Sequence, residues 1–199
     1  MVVLFTVLCS LGVELSAQCV LSCKSSLGVS LGLDGSALMT PAILLEDPDC
    51  DPADFTVTIT DQQGNNYGNV LSCANIGQTL TALVRQTSTG NACATQLTVN
   101  DYLPPFLTAP DTLLYCNADL LPQSIGFPSV QDNCASLDST DLSYTDLRVE
   151  LDCFTLFGGD TVTTRVERTW TVTDDYGNRS TTIQNINLKR ATIADIDFP

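Results

Sequence analysis

The stretch Arg168-Thr-Trp-Thr-Val-Thr-Asp-Asp-Tyr-Gly-Asn178 decides the fold of this 199-residue chain. Its first half predicts a β-strand, because Trp170 and Val172 alternate with threonines and so fall on one face. Its second half predicts a tight turn, since Asp, Gly and Asn are typical turn residues. A strand that runs directly into such a turn indicates an antiparallel β-structure.

The same strand carries a charge among its apolar residues. Arg168 shares a face with four of them, Val162, Val166, Trp170 and Val172. A charge on a core face requires a bulge, an edge position or a buried partner, and Asp146 is the candidate partner. Such a buried pair is expected to fix the strand register more than it adds stability.

The N-terminal half of the chain alternates apolar and polar residues with period two. This pattern is typical of half-buried antiparallel strands, which turn one face to a core and the other to water. Two short sheets facing each other would bury these faces. The predicted core residues are Val29, Leu31 and Leu33; Phe55, Val57 and Ile59; Leu80, Ala82 and Val84; and Cys93, Thr95, Leu97 and Val99.

The stretch Tyr102-Leu-Pro-Pro-Phe106 predicts a boundary between two modules. Consecutive prolines cannot donate to a sheet ladder, and they hold a stiff, extended connection. Downstream of them, strands are predicted near residues 113–116, 142–144, 162–172 and 181–188. We therefore predict a first β-sandwich module at 18–101, a second at 102–190, and a C-terminal tail or linker at 191–199.

An almost unbroken apolar run, residues 2–13, opens the chain and leads to Leu15-Ser-Ala17, a small-residue cleavage pattern. The run is shorter than the ~20 residues that cross a bilayer, so we predict a signal peptide at 1–17. No later segment predicts a membrane span. We expect a secreted or cell-surface protein without membrane insertion after the signal is removed.

Charge and cysteine content narrow the function classes. The chain has 23 acidic and 8 basic residues, a net charge of −15, and nucleic acid is therefore not an expected partner. Removal of residues 1–17 would take Cys9 from the nine cysteines and leave 9 − 1 = 8. An even number in an exported protein predicts a disulfide framework. Metal-thiolate sites are disfavoured, because the chain has no histidine and its cysteines do not form two close pairs.

The second module resembles the hyalin-repeat-like domains of large secreted bacterial surface proteins of the adhesin type. The motifs are Ala109-Pro-Asp-Thr, Asp132-Asn-Cys134, and the strand from Arg168 with Gly177-Asn178. The first module resembles the β-sandwich that accompanies such repeats, through the stretch from Cys50 to Ile59 and through Cys73-Ala-Asn-Ile-Gly77. The resemblance implies an all-β fold of two tandem immunoglobulin-like antiparallel β-sandwich domains stabilised by disulfides.

The resemblance also implies how the cysteines pair. Family members commonly have a pair of cysteines, one where this chain has Ala109 and one near Thr181 or Thr182, and a further cysteine in the turn where it has Tyr176. The absence of the turn cysteine leaves Cys116 without its usual partner, so Cys19 and Cys116 remain to join the modules or to bond a neighbouring molecule. The expected bonds are Cys50–Cys73, Cys23–Cys93 and Cys134–Cys153.

The stretch from Glu46 to Asp54 packs five carboxylates into nine positions. Hard cations prefer clustered oxygen ligands on a rigid loop, so we predict a candidate calcium site, and no other cofactor, at Asp47, Asp49, Asp51 and Asp54. The alternative is a solvated acidic turn in which Asp51 or Asp54 accepts backbone N–H bonds. A second acidic pair, Asp174 and Asp175, is expected to support its turn.

Enzymatic activity is disfavoured, because the chain has no histidine for a triad or an imidazole base and its cysteines are expected to be oxidised. We predict a non-enzymatic extracellular structural protein, a subunit of a surface fibre or filament or of an adhesin. Copies would self-associate by β-edge pairing, or by docking residues 191–199 onto a neighbour's sheet. The alternatives are a module that binds a glycan or protein through its loops, and an accessory domain of a secreted hydrolase.

Overall fold

The computed structural model describes residues 19–46, 51–152 and 155–190. These residues form strands, two four-residue helices, α1 (Pro41–Leu44) and α2 (Pro122–Ile125), and 3₁₀ turns at Pro52–Asp54 and Cys73–Asn75. The predicted all-β class is confirmed. The strands are β1 (Ser26–Ser30), β2 (Ser36–Leu38), β3 (Phe55–Asp61), β4 (Val70–Ser72), β5 (Thr79–Gln86), β6 (Ala92–Asn100), β7 (Phe106–Thr108), β8 (Thr112–Tyr115), β9 (Ser129–Gln131), β10 (Ser143–Glu150), β11 (Leu156–Phe157), β12 (Asp160–Thr173) and β13 (Arg179–Lys189).

The chain divides into two compact units that interleave in sequence. Of the described residues, 19–27, 39–46, 51–69 and 79–97 belong to the first unit, and the others belong to the second. Strands β1 and β6 each run from the first unit into the second. The predicted modules at 18–101 and 102–190 follow the linear order instead, and their limits stay a prediction.

One strand order occurs twice. The order β1-β6-β5-β3 places the last strand between the first and the penultimate one, and β8-β13-β12-β10 repeats this arrangement. Two further sheets have two strands each, β2-β4 and β7-β9, and β11 pairs with β12. In chain order, the second strand of each set (β3 or β10) corresponds to strand C of an immunoglobulin-like sandwich. The third (β5 or β12) corresponds to strand F, and the last (β6 or β13) to strand G. The predicted fold of two tandem immunoglobulin-like, disulfide-stabilised β-sandwiches is confirmed, with one parallel pairing, β8 with β13.

Most of the predicted core positions are buried. In the first unit Ile59, Leu80, Ala82 and Val84 are fully enclosed, as the alternation of β3 and β5 predicts. The prediction for Leu33 is wrong, because its side chain is 88% exposed. The reason is local: the Gly35 N–H donates to the Gly32 carbonyl at 2.9 Å, so the chain turns at Leu33 instead of continuing as a strand.

The disulfides follow the predicted pairing in part. Cys23–Cys93 is present, with an S–S distance of 2.02 Å, and this prediction is confirmed. The predicted bonds Cys50–Cys73 and Cys134–Cys153 are wrong, because Cys73 and Cys134 are bonded to each other with Cα atoms 5.3 Å apart. Their predicted partners, Cys50 and Cys153, lie outside the described residues. Cys19 is also disulfide-bonded, whereas Cys116 is an exposed free thiol.

A glycine allows the Cys73–Cys134 bond to form. Gly35 has a φ of +69°, and a Cβ added to it would lie 2.6 Å from the Asn133 carbonyl oxygen and 2.8 Å from Cys73 Sγ. Only glycine therefore permits the turn after β1 to approach both cysteine-bearing segments. All of these residues belong to the second unit. The spacing of cysteines along the chain carries no signal of this approach.

The apolar core of the second unit has two parts. Trp170 and Val172 of β12 pack with Leu107 of β7. Further along the same strand, Val166 packs with Ile186 and Leu188 of β13, and partly buried residues from the α2 region cover this part. The Trp170 indole N–H donates to Gln184 Oε1 at 3.0 Å, so the polar edge of the buried ring is satisfied.

Arg168 lies between these two parts and is only 1% exposed. Its Nε and Nη2 atoms donate to the two carboxylate oxygens of Asp146 at 2.7 and 2.8 Å, and Nη2 also donates to the Leu120 carbonyl at 2.7 Å. The guanidinium lies 4.2 Å from the Tyr144 ring centroid and 5.6 Å from that of Trp170. The predicted Arg168–Asp146 pair is confirmed.

Replacement of Asp146 by alanine is expected to lower the free energy of unfolding by about 2–4 kcal/mol, because it leaves the Arg168 charge buried without a counterion. The value is below that for a fully buried pair, since the Asp146 side chain is 34% exposed. Denaturant titration measures it. Glu150→Ala is the control, because it removes an exposed ion pair from the same strand, and its loss of stability should be clearly smaller. Equal losses of unfolding free energy in the two variants would contradict the conclusion that the buried Arg168 charge depends on Asp146.

Candidate functional site

Strand β10 forms an open edge of its sheet. It pairs with β12 from end to end, and no second strand among the described residues pairs with it. Seven of its eight residues are exposed, and Val149 is half-buried. An edge of this kind presents unpaired backbone N–H and C=O groups to any strand that approaches it.

The corresponding edge in the other four-stranded sheet is covered in part. After β3 the chain folds back, so that Ile59 N donates to the Gly68 carbonyl at 2.7 Å and Tyr67 N donates to the Ile59 carbonyl at 2.9 Å. The Asp61 N–H similarly donates to Asn65 O at 3.2 Å. The outer backbone groups at the C-terminal end of β3 are therefore already paired within the chain, whereas those of β10 are not covered by a described strand.

The register of β10 against β12 determines which backbone groups face the open edge. Just beyond the strand, Leu151 N donates to the Thr163 carbonyl at 3.0 Å, so odd-numbered residues of β10 form the hydrogen-bonded pairs with β12. Hydrogen-bond direction alternates along an antiparallel ladder. The N–H and C=O groups of the even-numbered residues therefore point away from β12. These residues are Tyr144, Asp146, Arg148 and Glu150.

The side chains of β10 alternate between the two faces of the sheet. Residues directly opposite each other in an antiparallel pair share a face. Asp146 lies opposite the buried Arg168, so the even-numbered residues are on the core side. Leu147 lies on the other face and is 62% exposed. The edge therefore carries its charged residues on one face, and Leu147 and Val149 with two hydroxyl residues on the other.

The predicted acidic loop is described only in part. Asp47 and Asp49 lie outside the described residues. Asp51 caps the following 3₁₀ turn by accepting the Ala53 N–H at 3.0 Å. Asp54 accepts from the side chains of Gln86, Thr87 and Ser88 and from the Ser88 N–H. Both described carboxylates therefore support local structure, and calcium at Asp47, Asp49, Asp51 and Asp54 stays a prediction.

Sequence reasoning missed a second acidic cluster, formed by Asp101, Asp132 and Asp174. One potential ligand atom from each of them lies within 4.8 Å of those of the other two. Asp174 does support its turn, as predicted, by accepting the N–H groups of Tyr176 and Asn178. The three residues are far apart in sequence, so no local motif could have revealed the cluster.

The comparisons with known proteins give no family assignment. No protein-family model matches the sequence, and no curated protein matches it. Among solved structures, the N-terminal four immunoglobulin domains of Dscam1 isoform 4.44 match 86% of this chain and 54% of their own, with 10% identity and a TM-score of 0.30. The corresponding domains of isoform 1.9 match 81% of this chain and 50% of their own, with 10% identity and a TM-score of 0.28. An endo-fucoidan hydrolase of glycoside hydrolase family 107 matches 85% of this chain and 28% of its own, with 14% identity and a TM-score of 0.26.

The chain thus spans about half the length of the immunoglobulin-domain structures that it matches. TM-scores near 0.3 carry no argument about fold or function. The immunoglobulin-like assignment therefore rests on the strand order and the disulfides. Of the described residues, none belong to a helix long and apolar enough to span a membrane.

The hydroxyls of Ser88 and Thr87, together with the Gln86 amide, lower the pKa of Asp54 to about 2 from its usual 3.8. Because the folded pKa is depressed, the contribution of Asp54 to stability is present above about pH 4 and is lost as the pH falls through about 2. The chemical shift of the Asp54 carboxyl carbon, followed by NMR as the pH is lowered, should give a titration midpoint near this pKa of about 2. Ser88→Ala should move the midpoint upward, and a midpoint near 3.8 in the unaltered protein would contradict the assignment.

Proposed function

We propose that this chain is a non-enzymatic extracellular structural protein, a subunit of a surface fibre or adhesin whose copies associate by antiparallel pairing of β10. The open edge of β10 carries the proposal. The resemblance of the second module to hyalin-repeat-like domains supports the adhesin-type context. The disulfides Cys23–Cys93 and Cys73–Cys134 support an oxidising, extracellular location, because reducing compartments keep such thiols free.

The side chains of β10 are self-complementary in one antiparallel register, in which the Leu147 residues of two copies lie opposite each other. In this register Asp146 of each copy lies opposite Arg148 of the other, and Thr145 lies opposite Val149. The even-numbered residues, whose backbone groups face the open edge, then become the hydrogen-bonded pairs. Backbone and side chains therefore favour the same register.

The neighbouring registers are disfavoured. A shift of two residues places Asp146 opposite Asp146, or Arg148 opposite Arg148, and like charges directly across a pair are destabilising. A shift of one residue would place core-side residues opposite outer-face residues. A symmetric pair is a closed dimer. In the proposal it is the building block to which a second contact adds further copies.

Association should depend on the charge of Arg148. The Arg148 side chain is 62% exposed, so a substitution there leaves the core intact. Arg148→Asp would place Asp opposite Asp146 twice across the dimer, and the dissociation constant is expected to rise about 100-fold. Analytical ultracentrifugation over a concentration series measures it, and negative-stain microscopy of the unaltered protein shows whether longer polymers form.

The matched control is Arg179→Asp, which makes the same charge change at an exposed residue at the start of β13. This variant should dimerise like the unaltered protein. A chain that stays monomeric at high concentration would overturn the proposal. Equal dimerisation of the Arg148→Asp and Arg179→Asp variants would show that association does not use β10.

A binding module is the second candidate, because the second unit has a shallow groove of about 150 Å³. Asp111 accepts three hydrogen bonds from Asn185 there, and the Phe157 side chain and the Arg165 side chain also line it. An aromatic surface beside fixed amide and carboxylate groups suits a sugar ring and its hydroxyls. Retention of a monomeric protein on a glycan array, lost in Phe157→Ala, would favour this function over assembly.

A further inference from the structure

Three separate segments of the second unit bring carboxylates together. Asp101 directly follows β6, Asp132 directly follows β9, and Asp174 begins the turn between β12 and β13. Asp101 is 3% and Asp174 is 7% exposed, and Asp132 is partly buried. The turn at Asp174 is closed by its N–H, which donates to the Asn178 carbonyl at 3.0 Å. Each carboxylate is therefore held by a strand end or a tight turn.

The hydrogen bonds of these carboxylates satisfy only some of their oxygens. Asp101 Oδ1 accepts from Leu103 N and from the side-chain amide of Asn133, at 3.0 and 3.1 Å. Asp132 Oδ2 accepts from Cys134 N and Ala135 N, at 2.9 and 2.7 Å. The remaining oxygens, Asp101 Oδ2 and Asp132 Oδ1, are buried and have no partner.

A third acceptor, on a residue that bonds Asp101, is also unsatisfied. Asn133 Oδ1 is buried without a hydrogen bond, although its amide nitrogen donates to Asp101. None of the ion pairs found among the described residues involves the three aspartates. Three carboxylates within 4.8 Å, with no basic side chain paired to them, repel one another strongly in a buried site. A cation shared among them would relieve this repulsion.

We propose that Asp101, Asp132 and Asp174 form a calcium site, with Asn133 Oδ1 as a further oxygen ligand. Calcium takes 6–8 oxygen ligands from carboxylates, amide or backbone carbonyls and water in flexible geometry. The side chains on offer are all oxygen donors, which disfavours softer metals such as zinc. Magnesium keeps several of its waters and usually binds only one or two carboxylates. A buried site with three carboxylates therefore favours calcium over magnesium.

Calcium at this site would tie the end of β6 to the loop after β9 and to the β12–β13 turn. The Cys73–Cys134 disulfide fixes the loop that carries Asp132, two residues away. The side-chain amide of Asn178 bridges Asp174 Oδ2 and the Asp101 carbonyl, at 2.8 and 3.2 Å. The site is therefore largely formed before the cation arrives, and binding should stabilise the second unit rather than rearrange it.

The test compares thermal unfolding of the full chain in chelator, in calcium chloride and in magnesium chloride, with calorimetric titration of each metal. Calcium at roughly 100 times its dissociation constant is expected to raise Tm by about 5–10 °C. Magnesium is expected to bind at least about tenfold more weakly. Asp132→Asn keeps an oxygen to accept the Cys134 and Ala135 N–H groups but removes the charge, and it should abolish the calcium-dependent shift.

The same variant gives a second signature. In chelator, Asp132→Asn should be as stable as the unaltered chain or more stable, because it relieves repulsion. In calcium it should be less stable than the unaltered chain. Asp101→Asn serves as an independent variant if Asp132→Asn does not fold, and Asp175→Asn, an exposed neighbour in the same turn, is the control that should keep the full shift.

Two outcomes would overturn the proposal. One is the absence of calcium heat and of any calcium-dependent change in Tm in the unaltered chain. The other is a calcium-dependent shift that persists in full in both Asp132→Asn and Asp101→Asn, which would place binding elsewhere, for example in the acidic stretch at residues 46–54. Neither outcome bears on the pairing of β10, so the two proposals fail separately.

Discussion

The buried guanidinium of Arg168 is the interaction on which the second sandwich depends. It joins β12 to β10 through Asp146 and reaches the Leu120 carbonyl, while the rings of Tyr144 and Trp170 cover it. A fully buried charge allows few alternative positions for its partner. The pair therefore fixes the register of β10, and the register determines which of its groups face the open edge.

The same interaction shows how much the sequence could predict. A charged residue on an otherwise apolar strand face predicts a partner, and the alternation of β3, β5 and β12 predicts most of the buried positions. The resemblance to hyalin-repeat-like domains implied the Cys23–Cys93 bond. The signals from alternation and charge are local or pairwise, and they predict the β class and Asp146. They failed at Leu33, because a hydrogen-bonded turn ended the alternation.

The contacts that could not be predicted join segments far apart in sequence. The Cys73–Cys134 bond depends on the absence of a side chain at Gly35, and the aspartate cluster depends on three strand ends meeting in the second unit. Neither leaves a spacing pattern in the chain. The open edge of β10 also became visible only with the strand order, since a sequence does not say which strand has a single neighbour. Sequence therefore predicted the type of function proposed, but not the residues that carry it.

The register of self-association can be tested with a single cysteine. Leu147 lies opposite itself in the proposed dimer as a non-hydrogen-bonded pair, where Cα atoms are about 4.5 Å apart, within the range for a disulfide. Leu147→Cys in a Cys116→Ser background should form a covalent dimer under mild oxidation. Ile183→Cys, exposed on the interior strand β13, should not. A covalent dimer confined to Leu147→Cys is the predicted result; no dimer, or equal yields for the two variants, would contradict pairing through β10.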